Sequence, residues 1–342
     1  MPTISICIIA FNASQYVSRC LNSISTQTVP PYEIIFVDDN SSDDTYEIAK
    51  SYESTLSTLK VYKLKRNSGV GKSRNIAISK SSGDYVWAVD CDDTLPYDAI
   101  EIFTNYIKKY NSEIIIGAEK IVSNDGNLKS IFSVEKQYYN IVPIDYPELS
   151  IFTTGFHHAM CIKKDFLMKY KIKYGENLVA SADGVFLFSL LPYTSKCTII
   201  KEIIYNYYEN EYSVSRIRST SFYRDDFYAW TILTSQYKNS RELEYSANRS
   251  LYRIREFINT DTSYIKNFTK KERDSIVKYF LDTFNKKELC NCMLYQYVKK
   301  NRQISLLDMF YLLALRISSK KLIKLLISII AIKKYIQAKT KQ

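Results

Sequence analysis

An open α/β fold, with a mostly parallel central sheet flanked by helices and a helical extension at the carboxyl end, is predicted by three features of the sequence. Apolar, strand-like runs recur at intervals of roughly 25 to 30 residues through the first hundred positions, the repeat of a βαβ unit. Stretches with one apolar face at helical spacing lie between them. Beyond about Phe222 the pattern is helical throughout and dense in Lys and Arg, so a soft domain boundary is expected at residues 216–222.

In chain order, Ile4–Ile9 is an almost unbroken apolar run, and Glu33–Val37, Val61–Leu64 and Tyr85–Val89 repeat it, as strands buried on both faces do. Tyr16, Val17, Cys20, Leu21 and Ile24 share a helical face after the first run, and Ala99, Ile102, Phe103, Tyr106, Ile107 and Tyr110 share another after the fourth. Ile114–Ile116 adds a further strand. Asn124-Asp125-Gly126 then reads as a hairpin turn, and residues 130–156 are irregular.

Composition narrows the class. Apolar residues at 46% and charged residues at 24% exclude wholesale disorder and a fibrous architecture. A formal charge of +11 predicts attraction to phosphate-rich partners. The seven cysteines form no CxxC pair, which argues against zinc or a disulfide framework. Met1-Pro2-Thr3 runs straight into a strand pattern with no basic leader, so a cytoplasmic location is expected.

Ligands of an open parallel sheet sit beyond the carboxyl ends of its strands. The first run ends in Phe11-Asn12, the second in Asp38-Asp39-Asn40-Ser41-Ser42, and the fourth in Asp90-Cys91-Asp92-Asp93. Adjacent carboxylates repel unless a cation compensates, and an oxygen-rich cluster suits Mn²⁺ or Mg²⁺ bridging a diphosphate. A solvated turn capped by Asp93 or Thr94 is the competing account. Ser41 or Ser42 could cap a helix whose first turn holds Asp43 and Asp44, which leaves Asp38 and Asp39 at the strand end for a base and ribose. Arg66-Asn67-Ser68-Gly69-Val70-Gly71-Lys72-Ser73-Arg74-Asn75 is a turn into a helix with three cations, open to either phosphate binding or capping. It is neither a Walker loop nor a dinucleotide fingerprint.

Taken together, Ile8-Ile9-Ala10-Phe11-Asn12-Ala13, Val37-Asp38-Asp39-Asn40-Ser41-Ser42-Asp43, Asn67-Ser68-Gly69 with Ser73-Arg74-Asn75, Ser82-Gly83-Asp84-Tyr85 and Val89-Asp90-Cys91-Asp92-Asp93 resemble, in order and spacing, the signatures of family 2 glycosyltransferases. The resemblance is close over the first hundred residues and looser over the next hundred. It implies the GT-A fold over 1–220, with 1–115 as the nucleotide-sugar half and 116–220 as the acceptor and base half, followed by a helical basic region over 221–342. It also implies a nucleotide-diphosphate sugar donor, of which a UDP-sugar is the expected type, and a DxD motif holding Mn²⁺ or Mg²⁺ through Asp92. Phe11 would pack on the base, Asp39 would bind it, and Asp90 would contact the ribose; Asn12, Asp38, Asn67, Arg74 and Cys91 complete the expected donor site, with Arg216 near the diphosphate. Ser181-Ala182-Asp183-Gly184-Val185-Phe186 resembles the Glu-Asp-x-x-Phe segment of the family, which makes Asp183 the base. Without the resemblance, Asp183 would be read as a helix cap. The family often has Pro and Tyr where this chain has Ile9 and Phe11, and Ala182 replaces the glutamate before the base.

His157-His158 is expected to be a satisfied structural pair, with acceptor lining or phosphate binding as the other readings. Past Asp308 no acidic residue remains, and lysines interrupt the apolar runs Met309–Leu315 and Leu322–Ile332, each too short to span a bilayer. That tail points to a peripheral hold on an anionic membrane, or to packing on its own core or a second copy in a homo-oligomer. The expected acceptor is a glycan, glycolipid or lipid-linked hydroxyl of a cell-surface polysaccharide. Nucleic acid is excluded as a partner because its phosphates would meet carboxylates at the strand ends. A non-catalytic nucleotide-sugar-binding protein and a sugar nucleotidyltransferase are the alternatives, although the second lacks its glycine-rich loop after the first strand.

Overall fold

In the computed structural model, residues 1–123, 125–146, 156–178 and 181–209 are described. The chain divides into two units, Met1–Ile217 and Arg218–Gln342. Arg216, residues 147–155 and the basic carboxyl region lie outside the described residues, while the first part of the section expected to be irregular, residues 130–146, holds the end of one strand and the whole of another, Tyr138–Ile141.

The apolar runs become β1 (Ile4–Ala10), β2 (Glu33–Asp38), β3 (Leu59–Lys63) and β4 (Tyr85–Asp90). Four helices follow them in turn: α1 (Ser14–Ser25), α2 (Thr45–Ser51), α3 (Val70–Lys80) and α4 (Ala99–Tyr110). Val17, Cys20, Leu21 and Ile24 of α1 are buried, as their spacing predicts. Central β2 is buried along its whole length, because helices cover both faces of a parallel sheet. Then come β5 (Ile114–Val122), β6 (Leu128–Phe132), β7 (Tyr138–Ile141), a 3₁₀ turn at Phe156–Ala159, β8 (Met160–Lys163), α5 (Lys164–Tyr170), α6 (Ala182–Leu190) and β9 (Cys197–Tyr208).

Among the described residues the strands form one sheet in the order β3-β2-β1-β4-β8-β5-β9-β7, with β6 paired to β5. Strands β3, β2, β1 and β4 run parallel, and the order reverses at β1, which lies between β2 and β4. That reversal opens a crevice beyond the carboxyl ends of β1 and β4. Short β8 wedges between β4 and β5 antiparallel to both, so β5 does not simply continue the parallel series. Long β9 pairs parallel with β5 and carries its aromatic end back to the crevice. This mixed sheet flanked by helices is the GT-A fold. No helix among the described residues is long and apolar enough to cross a membrane.

Candidate active site

The loops after β1 and β2 fasten to each other. Asn12, at a positive φ of 48°, donates its N–H to Ser41 Oγ at 2.9 Å, and its Oδ1 accepts from Ser42 N at 2.9 Å. These two serines therefore do not cap α2. Asp43 instead accepts from Thr45 N at 3.1 Å and from Ser14 N at 3.1 Å, which joins the starts of α1 and α2. Asp38 is wholly buried and accepts from Ser41 N at 3.2 Å, closing its own turn rather than facing a base or ribose. Asp39, also buried, accepts from Ser68 N at 2.7 Å and Gly69 N at 2.8 Å and so holds the loop that leads into α3. Asn67 Oδ1 accepts from the same Gly69 N at 3.2 Å. Gly69 has φ +84°, a left-handed conformation that a side chain would strain. Phe11 is half exposed at 50%.

After β4 the acidic loop is stitched to β9. Tyr205 Oη accepts from Asp90 N at 3.1 Å and donates to Asp93 Oδ2 at 2.7 Å. Tyr208 N donates to Asp93 Oδ1 at 2.7 Å. Thr94 and Asn206 exchange two backbone hydrogen bonds, at 2.9 and 3.2 Å. Asp93 is thus a buried anchor and not a helix cap; burial and then the neighbouring Asp92 charge push its carboxyl well above the ordinary range. Cys91 is 3% exposed and its thiol is raised by its contact with Cys20 and by burial, so any donor contact here comes from its backbone and not its sulfur. Arg19 Nη2 donates to the Asp92 carbonyl while its guanidinium lies 3.8 Å over the Tyr208 ring.

Asp90 is the electrostatic centre. Arg74 Nη2 donates to its Oδ1 at 2.6 Å, and His158 Nε2 lies 3.0 Å from its Oδ2. Burial alone would raise the carboxyl, but Arg74 and then His158 hold it well below the usual range. Burial would likewise lower His158, and Asp90 reverses this to raise the imidazole to about 9.

On the opposite wall α3 approaches the segment that leads into α6. A Cβ on Gly71 would stand 2.0 Å from the Gly175 carbonyl oxygen, so only glycine fits. Asn75 Nδ2 donates to the Tyr174 carbonyl at 3.0 Å and Tyr174 N donates to Asn75 Oδ1 at 2.9 Å. Tyr174 in turn stacks on Phe186 of α6, with ring centroids 3.9 Å apart and planes at 7°. Asp183 lies in the first turn of α6, inside the helix; the N-cap is Ser181, at φ 60°, so the capping account of Asp183 fails. Its side chain is 37% exposed, with Oδ2 3.9 Å from His157 Nδ1. The histidine rings stand 3.7 Å apart, so the pair separates Asp90 from Asp183.

A cation site fits this chemistry. Oxygens of Asp90, Asp92 and Asp93 lie within 4.8 Å of one another. Asp90 is committed to Arg74 and His158, and Asp93 to Tyr205 and Tyr208. Asp92, half-buried in that trio, is the residue expected from sequence to hold a cation, and a carboxylate oxygen is the donor type that Mn²⁺ or Mg²⁺ takes. Asp90, His157 and His158 also cluster, but Arg74 already neutralises Asp90 there.

Residues 5–171 match the model of Glycosyl transferase family 2. The chain carries a glycosyl transferase family 2 domain. Among curated relatives of this family, poly(ribitol-phosphate) beta-glucosyltransferase of Bacillus spizizenii is 30% identical over 81% of this chain and 44% of its own length. TarP, a poly(ribitol-phosphate) beta-N-acetylglucosaminyltransferase of Staphylococcus aureus, is 27% identical over 84% of this chain and 94% of its own. The chain spans less than half the length of the first two kinds of curated relative, at 44% and 39%. Staphylococcus aureus TarS, residues 1–349 in complex with UDP-GlcNAc, superposes with TM-score 0.72 at 19% identity, over 93% of this chain and 92% of that one. The likeness in structure extends the family fold past the residues of the family model.

Of the residues expected from sequence, Asn12, Asp38, Asp39 and Asn67 are joined by hydrogen bonds within the loops after β1, β2 and β3, Arg74 pairs with Asp90, Asp92 lies beside Asp90 and Asp93, Asp183 lies near His157, the Cys91 thiol is buried, and Phe11 is half exposed after β1. Sequence reading missed Asn75, Tyr205 and the use of the histidines. Asn75 was visible inside the Ser73-Arg74-Asn75 signature, and two ionisable residues before a buried strand were a signal, but their targets lie about 70 to 110 positions away.

Proposed function

We propose that this chain is an inverting, metal-dependent glycosyltransferase that moves a sugar from a UDP-sugar to a hydroxyl of a polyol-phosphate polymer of the poly(ribitol-phosphate) kind. The observation that carries this is the placement of an exposed carboxylate, Asp183, across two histidine rings from the Arg74–Asp90 pair in one crevice. The relatives' names supply the acceptor class, and the UDP-GlcNAc held by TarS supplies the donor class.

Phe11 stacks on the base in this reading, and Asp39 with the Asn67-Ser68-Gly69 loop frames its edge. Asp90 meets the ribose while Arg74 keeps it charged and fixed. Asp183 accepts the proton of the acceptor hydroxyl as that oxygen bonds to the anomeric carbon and the bond to the diphosphate breaks. One displacement on the opposite face converts an α-linked donor to a β product, the linkage printed in the names of the relatives. Asp92 would hold Mn²⁺ or Mg²⁺, which would supply positive charge to offset that of the departing diphosphate.

The test pairs calorimetry with a transfer assay. UDP is expected to bind in Mn²⁺, and Asp92→Ala to abolish the Mn²⁺-dependent part. Poly(ribitol-phosphate) with UDP-glucose or UDP-GlcNAc is expected to yield UDP and a β-linked product. Binding without transfer to any polyol-phosphate acceptor would leave a nucleotide-sugar-binding protein, and no UDP binding in any metal would overturn the reading.

A further inference from the structure

Asp183 poses a physical problem. Its carboxylate sits in the first turn of α6 with over a third of its surface exposed. A base must be held to within a fraction of an ångström of its proton, because a misplacement of about 1 Å can cost on the order of a hundredfold in rate. Arg74 and Tyr174 feel its charge, and His157, whose side chain is 3% exposed, has its Nδ1 3.9 Å from Asp183 Oδ2.

His157 is itself fixed on several sides. The Phe156–Ala159 turn runs directly into β8, which is locked between β4 and β5. Trp87 Nε1 donates to the His158 carbonyl at 2.5 Å. The His157 ring lies 3.7 Å from the His158 ring and meets Tyr174 edge-on at 6.0 Å, and Tyr174 stacks on Phe186 in the helix of Asp183. His158 stacks on Tyr205 at 5.3 Å and touches Asp90. Nothing in ordinary core packing requires two adjacent imidazoles to face two different carboxylates, one on each side of the reacting centre.

We infer that His157 is a positioning residue for the general base: its Nδ1 holds Asp183 Oδ2, leaving the other oxygen for the acceptor proton, while His158 fixes Asp90, so that the dipeptide ties base orientation to the donor side. The inference rests on Asp183 being the base. The 3.9 Å separation closes to a hydrogen bond of about 2.9 Å when the substrates are in place.

The experiment uses the full chain, with kcat and KM from the transfer assay and Kd for UDP in Mn²⁺ from calorimetry. His157→Leu is expected to lower kcat about a hundredfold while Kd for UDP changes less than about twofold. His157→Asn, whose side-chain amide offers a donor near the Nδ1 position, is expected to recover most of kcat. In an Asp183→Asn background His157→Leu is expected to lower the residual rate no further, since its effect passes through the lost carboxylate. An unchanged kcat in His157→Leu, a loss matched in UDP affinity, or full additivity in the double variant would overturn the inference. If His157→Leu fails to fold, His157→Phe keeps the ring volume without the donor and is read in the same way. Full activity in Asp183→Asn would remove the base assignment itself, whereas inactive Asp183→Asn beside active His157→Leu sinks this inference alone.

Discussion

The two halves of the sheet hold their polar residues in different ways. In the parallel half, β1 to β4, carboxylates and amides are satisfied by backbone N–H groups in neighbouring loops about 30 positions away: Asn12 with Ser42, Asp39 with Ser68 and Gly69. Where the parallel half meets the mixed half beyond β4, side chains depend on partners from far along the chain: Asp90 with His158, Asp93 with Tyr205, Asn75 with Tyr174. The first arrangement is written in local motifs and ties the loops at the strand ends to one another. The second exists only once β8, β9 and α6 have docked, and it holds the residues to which the proposed function gives the chemistry.

This contrast is sharpest at Asp183, the proposed base. Asp183→Asn is expected to reduce transfer by about 10² to 10⁴-fold while Mn²⁺-dependent UDP binding persists, because it removes the proton acceptor and leaves the parallel half intact. A parallel loss of UDP binding would show that the halves are not separable. Arg74 joins them, since it starts from α3 and ends on Asp90; Arg74→Met breaks a buried ion pair and is expected to cost about 3 kcal/mol in denaturant unfolding. A change below about 1 kcal/mol would mean that His158 alone suffices for Asp90.

The parallel half has its own sensitive point. Glu33 in β2 accepts from Ser5 Oγ at 2.9 Å and Lys60 Nζ at 2.9 Å, and although burial acts to raise it, Lys60, Ser82 and Ser5 lower its carboxyl to about 2. A lowered carboxyl stabilises the fold above its unfolded value near 4.5, and this contribution is lost as pH falls towards about 2. Glu33→Gln is therefore expected to lower stability at neutral pH by roughly 2 kcal/mol and to flatten the acid limb of a stability-against-pH curve. Equal steepness in both proteins would place acid sensitivity elsewhere. The smallest effect is expected at Asn75→Ala, about 1 to 2 kcal/mol from its lost hydrogen bonds to Tyr174, with kcat falling more than UDP affinity.

By itself the sequence determined the parallel core and the acidic strand ends. Apolar periodicity marks each strand whatever its neighbours, and a carboxylate that follows a parallel strand must fall at the crevice, so Asp39, Asp90 and Asp92 were legible from spacing and signature. Asp183 was legible only through the family resemblance, since a lone aspartate before an apolar helix has a capping account that spacing cannot dismiss. Tertiary structure alone decided which of these carboxylates are spent on the fold. Asp38, Asp39, Asp92 and Asp93 look alike in sequence, yet Asp38, Asp39 and Asp93 are buried against Ser41, against Ser68 and Gly69, and against Tyr205 and Tyr208, while Asp92 is only half-buried. It also decided that two adjacent histidines stand between Asp90 and Asp183. The reason is distance along the chain: hydrogen bonds between residues about 70 to 110 positions apart leave no periodic trace, and their geometry arises only when β8 and β9 complete the sheet.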